Sequence, residues 1–174
     1  ESQTIDVAEN LLVTMEDLLL WSKGQMQNFK LDFGKVMLHH LFTELMQHYE
    51  IGDRNIIIID IQEDIYLITD ENYLKTIIRN LTSNALKATS KVKYPKIRWT
   101  AFNKGTSVIL KIIDNGKGGD ISDFNALFSD EKDISVKSGL GLRLVREMAI
   151  SVNCKITVNT IPERGTDIEL EFQN

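Results

Sequence analysis

The pattern of apolar and polar residues between Asn72 and Ser90 predicts a long amphipathic helix. Apolar residues recur there at helical spacing, and neither glycine nor proline interrupts the stretch. Lys75, Arg79 and Ser83 fall on the opposite side, which predicts a solvated face. Asp70 lies where an N-cap is expected. The predicted apolar stripe consists of Leu74, Ile77, Ile78, Leu81, Ala85 and Ala88.

An earlier stretch, from Ile5 to Asn28, has heptad spacing and predicts one long helix that precedes the rest of the fold. Leu11 and Leu18 widen its seam to a stripe suited to a helix bundle, so we expect partner helices. Packing against the following domain is the alternative. The seam positions are Ile5, Ala8, Leu12, Met15, Leu19, Ser22, Met26 and Phe29, and Ser22 is polar.

The remaining pattern predicts an α+β domain in which hairpin-paired strands carry helices on one face, a two-layer α/β sandwich. A short strand is expected at Phe29 to Phe33, ended by Gly34, and then a helix over 35–49 that Gly52-Asp53 breaks. The other predicted strands are 56–61, 65–68, 96–103, 107–113, 155–160 and 166–172, with a further helix over 139–152.

Three polar residues lie along one edge of the apolar stripe of the long helix. Asn80, Asn84 and Lys87 have spacings of four and three, which places them together at the border between core and water. Amide oxygens can ligate a hard cation, and an ammonium can meet a phosphate. Taken alone, the same three residues fit the ordinary surface of a helix equally well.

Two glycine clusters flank a long irregular stretch in the C-terminal half. The first is Asp114-Asn-Gly-Lys-Gly-Gly119, where a carboxylate at a strand end can accept from an exocyclic amine and glycines admit a flat ligand. The second is Ser138-Gly-Leu-Gly-Leu142, whose free N–H groups at a helix start favour an anion. Taken alone, the first cluster also fits a plain glycine-rich turn, and the second also fits the ordinary start of a helix. The irregular residues at about 115–138 suit a lid over a ligand.

The composition narrows the class of protein. The net charge of −5 disfavours a nucleic-acid-binding protein. Cys154 is the single cysteine, which fits a reducing compartment and predicts a small core residue. The chain begins without methionine, so we expect a fragment of a longer protein.

In order and spacing, these pieces resemble the histidine-kinase branch of the Bergerat ATP-binding family, which also holds DNA gyrase, the Hsp90 chaperones and the MutL repair proteins. The resemblance covers the chain from about Lys35 to its end and implies the Bergerat fold, with a mixed and mostly antiparallel sheet. Its motifs here are an N box (Asn80 to Lys87), a G1 box (Asp114 to Gly118), a reduced F box (Leu127-Phe128), a G2 box (Gly139 to Leu142) and a final Gly165-Thr166.

The resemblance implies ATP and Mg²⁺ as ligands. Asp114 would bind the adenine amine, with Gly116, Gly118 and Thr166 beside it. Asn84 would ligate the metal, and Asn80 and Lys87 would contact the phosphates or the metal shell. Around the triphosphate, the lid end would contribute Lys137, Gly139, Leu140, Gly141 and Leu142.

One position selects the kinase branch. The hydrolysing members carry a water-activating glutamate where this chain has Asn80, and an amide cannot act as a base. A departure lies at Ala88, where these kinases often have an aromatic residue that walls the nucleotide. His39, His40 and His48 lack the flanking pattern of a phosphoacceptor histidine.

The segment Leu11 to Gln25 resembles the second helix of the kinase dimerisation hairpin. We therefore expect residues 1–28 to be that helix, without the histidine-bearing first helix, and residues 29–174 to be the catalytic domain. The implied function is transfer of the ATP γ-phosphate to a histidine absent from this chain, in a two-component system.

The resemblance further implies a homodimer in the full-length protein, a response regulator receiver domain as partner, and a cytoplasmic location beneath a membrane-anchored sensor. The alternatives are a non-catalytic nucleotide-binding module and a Bergerat-type ATPase whose acid is Asp70 or Glu71.

Overall fold

In the computed structural model, residues 11–12, 15, 18–24, 26, 30–129 and 140–174 are described. The chain divides into two units, Glu1–Asp32 and Phe33–Asn174. In the first unit, the described residues between 11 and 24 are helical, as the heptad pattern predicts. Their large apolar side chains are more than half exposed at Leu11, Leu12, Met15 and Leu19. No helix of the described part of the chain is long and apolar enough to cross a membrane.

The second unit is built on a five-stranded sheet with strand order β2-β4-β5-β7-β6. β2 and β4 are parallel, and the other pairs are antiparallel. β1 and β3 form a separate antiparallel ribbon. The strands are β1 (Phe33–Met37), β2 (Ile57–Asp60), β3 (Tyr66–Asp70), β4 (Ile97–Lys104), β5 (Ser107–Asp114), β6 (Lys155–Ile161) and β7 (Gly165–Gln173). The helices are α1 (Leu38–Met46), α2 (Ile51–Ile56), α3 (Glu71–Thr89) and α4 (Leu140–Ser151), with a 3-10 helix at Ile121–Leu127.

The core lies between this sheet and the helices, chiefly α3. The side chains of Leu74, Ile77 and Ile78 are fully buried. From the sheet, Trp99 packs its ring 5.2 Å from the ring of Phe42 on α1 and donates from Nε1 to Thr82 Oγ1 of α3 at 3.1 Å. A buried indole N–H needs such an acceptor. The two-layer α+β architecture with a mixed, mostly antiparallel sheet is therefore confirmed.

The start of α3 matches its sequence signal. The Asp70 carboxylate accepts hydrogen bonds from the backbone N–H groups of Asn72 and Tyr73, at 3.0 and 3.2 Å. The predicted solvated face is wrong in part, because Lys75 lies between the carboxylates of Glu44 and Glu71 at 2.9 and 2.8 Å. Lys75, Arg79 and Ser83 are half-buried, and the ion pair of Lys75 with Glu44 joins this side of α3 to α1.

Two local predictions near the start of the domain are wrong. Strand β1 spans Phe33–Met37 instead of 29–33, so Gly34 lies inside it and α1 begins only at Leu38. Pairing of β1 with the distant β3 extends residues that read as helical by periodicity alone. Gly52-Asp53 lies within the short helix α2, where a break was expected.

The sequence predicts that the strands pair as hairpins, and the observed pairing differs from this prediction for two strands. The strands at 57–60 and 66–70 do not pair with each other: β2 runs parallel to β4, and β3 pairs with β1. The hairpins β4–β5 and β6–β7 are confirmed. Antiparallel pairing of β5 with β7 joins the two hairpins and places the C-terminal end of β5 beside the start of β7.

Candidate functional site

Asp114 ends the central strand β5 and is buried, with 8% of its surface exposed. Its cross-strand neighbours are Ile97 on β4 and Thr166 on β7. Gly116 N donates to its Oδ1 at 2.8 Å. Burial raises the pKa of this carboxyl, and hydrogen bonds from the Gly116 and Thr166 backbone partly oppose the rise. A buried carboxylate with few partners is suited to accept from a bound amine.

The turn after Asp114 touches the C-terminal end of α3. A Cβ on Gly116 would lie 2.8 Å from Ala88 Cβ and 2.7 Å from Asp114 Oδ1. Lys117 N donates to the Ala88 carbonyl at 3.3 Å. Glycine is therefore required at 116 because the protein itself fills the space of a side chain. A bulky residue at position 88 would not fit this contact without displacement of the turn.

The same turn also packs on the loop between β6 and β7. Gly118 has a left-handed φ of +59°, and a Cβ there would overlap the Ile161 carbonyl group. Glu163 N donates to the Lys117 carbonyl at 2.6 Å. Gly165 has a φ of +103°, and a Cβ there would overlap the Asp114 carbonyl oxygen. Three backbone segments thus meet around the end of β5.

The polar edge of α3 adjoins this turn. Asn80 and Asn84 are half-buried, and Lys87 is exposed. Asn84 and Ala88 are one helical turn apart and share a face, and Ala88 is the residue that Gly116 touches. The predicted amide edge and the buried carboxylate therefore lie on the same side of the domain.

Asn80 faces the start of α4. Its Nδ2 donates to the Thr76 carbonyl at 2.9 Å, and a Cβ on Gly141 would come within 2.6 Å of its Oδ1. Leu140 is 46% exposed, whereas Leu142 is buried with the core. Of the predicted set, Lys137 and Gly139 lie outside the described residues.

The described part of the predicted lid contains the 3-10 helix. Asp120 caps it with a reciprocal capping box to Asp123. In the predicted F box, Leu127 is buried and Phe128 is exposed, so Leu127 is the residue that anchors this segment. Residues 130–139 of the predicted lid lie outside the described part of the chain.

A surface cavity of about 260 Å³ is lined by none of the predicted site residues and lies beside Leu127, Ala149 and Cys154. Cys154 is buried, as predicted, and burial raises the pKa of its thiol to about 12. A thiol with such a pKa is protonated at neutral pH and chemically inert.

Sequence reasoning missed one polar contact at the site. Thr160 on β6 lies opposite Thr166, with 3.0 Å between their hydroxyl oxygens. Gly119 N donates to Thr160 Oγ1 at 3.0 Å. The signal in the sequence is a pair of threonines that flank the turn of the last hairpin, and it is visible only once the strand register is known.

Asn115 shapes the same turn. Its Oδ1 accepts from Lys96 N and its Nδ2 donates to the Tyr94 carbonyl, both at 2.8 Å. The asparagine within the predicted G1 box thus ties the turn to the segment that enters β4. Its side chain serves the fold and points no donor at the carboxylate of Asp114.

Residues 69–174 match the model of the family described as "Histidine kinase-, DNA gyrase B-, and HSP90-like ATPase". Sensor histidine kinase YvrG of Bacillus subtilis (strain 168) is 31% identical over 118 residues, which is 64% of this chain and 20% of that protein.

Sensor histidine kinase YxdK of Bacillus subtilis (strain 168) is 25% identical over 167 residues, 90% of this chain and 51% of that protein. The chain therefore spans between a fifth and a half of the length of these relatives. The crystal structure of full-length ShkA in complex with AMPPNP superimposes with a TM-score of 0.74 at 19% identity, over 96% of this chain and 36% of that one. This likeness shows the fold.

Proposed function

Because the chain belongs to the histidine kinase-, DNA gyrase B- and HSP90-like ATPase family, we propose that it binds ATP and transfers the γ-phosphate to a histidine of another helix. The family match covers residues 69–174, and the relatives to which the chain is similar are named sensor histidine kinases. The observation that carries the proposal is the meeting of Asp114, the turn 116–119 and the polar edge of α3.

Asp114 would accept a hydrogen bond from the adenine amine. The carboxylate is buried, so this bond would form away from competing water and contribute strongly to affinity. Thr166 lies directly opposite on β7 and offers a hydroxyl at the same face of the sheet. Gly116 and Gly118 let the backbone of the turn come close to this face.

The polar edge of α3 would hold the phosphates. The amide oxygen of Asn84 suits Mg²⁺, which prefers oxygen ligands and needs few from the protein. Bound Mg²⁺ would neutralise charge on the phosphates during transfer. Lys87, exposed in the last turn of α3, would attract the same phosphates, and Asn80 would join them beside Gly141. The proposed site is completed by four residues at the lid end, of which Leu142 is buried in the core: Lys137, Gly139, Leu140 and Leu142.

Hydrolysis by this site is disfavoured for a structural reason. Asn80 cannot deprotonate water. Asp70, one candidate acid, has its carboxylate engaged as the N-cap of α3. Glu71, the other candidate, pairs with Lys75 and precedes Asn80 by nine residues, roughly 13 Å along the helix.

The N-terminal unit suits the role of a dimerisation helix. Its exposed apolar side chains at Leu12, Met15 and Leu19 follow the heptad seam and require partners. We assign residues 1–28 to the second helix of the dimerisation hairpin and residues 29–174 to catalysis. The acceptor histidine would lie on the first helix, in a homodimer whose phosphoryl group passes to a response regulator receiver domain, on the cytoplasmic side of a membrane-anchored sensor.

A phosphotransfer assay tests the proposal. The chain is incubated with Mg²⁺, ATP labelled at the γ-phosphate, and a separately produced histidine-bearing hairpin from the same full-length protein. We expect acid-labile label on the hairpin, and none when Asp114→Ala replaces the wild-type chain. Steady phosphate release without the hairpin would favour an ATPase, and ATP binding without transfer would favour a regulatory module.

A further inference from the structure

Thr160 connects two parts of the site that no sequence motif joins. Its hydroxyl accepts from Gly119 N at 3.0 Å, at the root of the 3-10 helix, and lies 3.0 Å from Thr166 Oγ1. Both threonines project from the same face of the sheet as Asp114, because residues directly opposite in antiparallel strands share a face. Thr160 is half-buried and Thr166 is buried.

The hydrogen bond from Gly119 uses a lone pair of Thr160 and leaves the Thr160 proton available to donate to Thr166. A hydroxyl has one proton to donate and two lone pairs. Gly119 N occupies one lone pair of Thr160, and the Thr160 proton then has the Thr166 oxygen within reach at 3.0 Å. With that proton on its oxygen, Thr166 directs its own proton elsewhere. Beside it across the β5–β7 register lies Asp114, which only accepts when ionised.

We propose that Thr160 donates its proton to Thr166 and is thereby a positioning residue for base specificity, because Thr166 then presents its own proton beside the Asp114 acceptor. This inference rests on the proposed ATP site. Adenine presents an amine donor at position 6 and a ring-nitrogen acceptor at position 1. These two groups complement the Asp114 acceptor and the Thr166 donor. Hypoxanthine presents an oxygen at position 6 and an N–H at position 1, so it opposes both groups.

Substitutions at Thr160 separate the hydroxyl from the shape of the side chain. Thr160→Val keeps the branched shape and removes the donor, whereas Thr160→Ser keeps the donor. Thr157→Val is the matched control, because Thr157 is on the same strand, exposed and on the opposite face. Thr160→Ala removes the same hydroxyl if the valine variant folds poorly.

The measurement is the dissociation constant of each variant for ATP and for ITP, by calorimetric titration in the presence of Mg²⁺. Loss of one neutral hydrogen bond corresponds to roughly 2- to 10-fold in affinity. We expect Thr160→Val to lower the preference for ATP over ITP by that factor, through weaker ATP binding. Thr160→Ser should restore the preference, and Thr157→Val should leave it at the wild-type value.

A double variant adds a second test. If Thr160 acts through Thr166, Thr160→Val in a Thr166→Val background should cause no further loss of preference. An unchanged ATP-to-ITP ratio in folded Thr160→Val, or additive losses in the double variant, would overturn the inference. Failure of the wild-type chain to bind ATP would instead overturn the proposed function itself.

Discussion

Gly118 and Gly105 provide a matched pair for a test of the contact that shapes the site. Both have left-handed backbone, with φ of +59° and +62°. A Cβ at Gly105 would meet nothing within 4 Å, whereas one at Gly118 would lie 2.7 Å from the Ile161 carbonyl carbon and overlap its oxygen. Alanine at either position has the same conformational strain, but only Gly118→Ala collides with another backbone segment.

The expected free energies follow from these surroundings. Left-handed backbone costs a non-glycine residue roughly 1–2 kcal/mol, which is the full expected loss for Gly105→Ala. Gly118→Ala must also push the turn off the β6–β7 loop, which strains the Glu163 N to Lys117 O hydrogen bond of 2.6 Å. That bond contributes roughly 1 kcal/mol, and overpacking adds about 1–3 kcal/mol. Gly118→Ala should thus be less stable than Gly105→Ala by roughly 2–4 kcal/mol.

Urea unfolding of the two variants measures this difference, and ATP titration of each folded variant measures its consequence. We expect Gly118→Ala to weaken ATP binding by at least about tenfold, because the turn that positions Gly116 and Asp114 moves. Gly105→Ala should bind ATP as the wild-type chain does. Equal losses of stability in the two variants, or wild-type affinity in Gly118→Ala, would show that the contact of Gly118 with Ile161 does not position the turn.

Two further predictions concern stability. Asp70→Ala removes the N-cap of α3 and should lower the free energy of unfolding by about 1–2 kcal/mol in urea, whereas a loss near zero would contradict the capping role. Burial raises the folded-state pKa of Asp114 above 3.8, so its carboxyl binds a proton more tightly in the folded chain than in the unfolded chain. Its contribution to the free energy of unfolding is therefore complete below pH 3.8 and is lost as pH rises through the folded-state pKa. The free energy of unfolding of the wild-type chain, relative to that of Asp114→Asn, should therefore fall as pH rises from 3.8 through the folded-state pKa of Asp114. A rise over this pH range would contradict the conclusion that burial raises this pKa.

Local signals were sufficient for α3 and for both confirmed hairpins. The cap at Asp70, the uninterrupted stripe from Leu74 to Ala85 and the short gap between the predicted strands 96–103 and 107–113 each involve only neighbouring residues. Such features depend little on the rest of the chain. The predicted G1 turn lies at the end of β5, and the predicted polar edge lies toward the end of α3. Both elements are predicted correctly, so the turn and the polar edge lie close together as expected.

Long-range pairing explains what sequence reasoning missed. Residues Lys35 to Met37 read as helix, yet they form a strand because Tyr66 to Ile68 lie opposite them. Thr160 has no visible role until the β6–β7 register places it across from Thr166 and the turn brings Gly119 to its hydroxyl. The sequence pattern predicts that the glycines at 116 and 118 admit a flat ligand, but the space beside them is filled by Ala88 and Ile161.

On the proposed function, ATP binds where the end of β5 meets the polar edge of α3. Titration of the ¹⁵N-labelled chain with ATP and Mg²⁺, followed by two-dimensional NMR, tests this location residue by residue. The account predicts the largest amide shifts at Gly116, Gly118 and Thr166, with Asn84 shifting only when Mg²⁺ is present. Shifts confined to residues around Cys154, or saturable binding that leaves Thr166 unmoved, would contradict it.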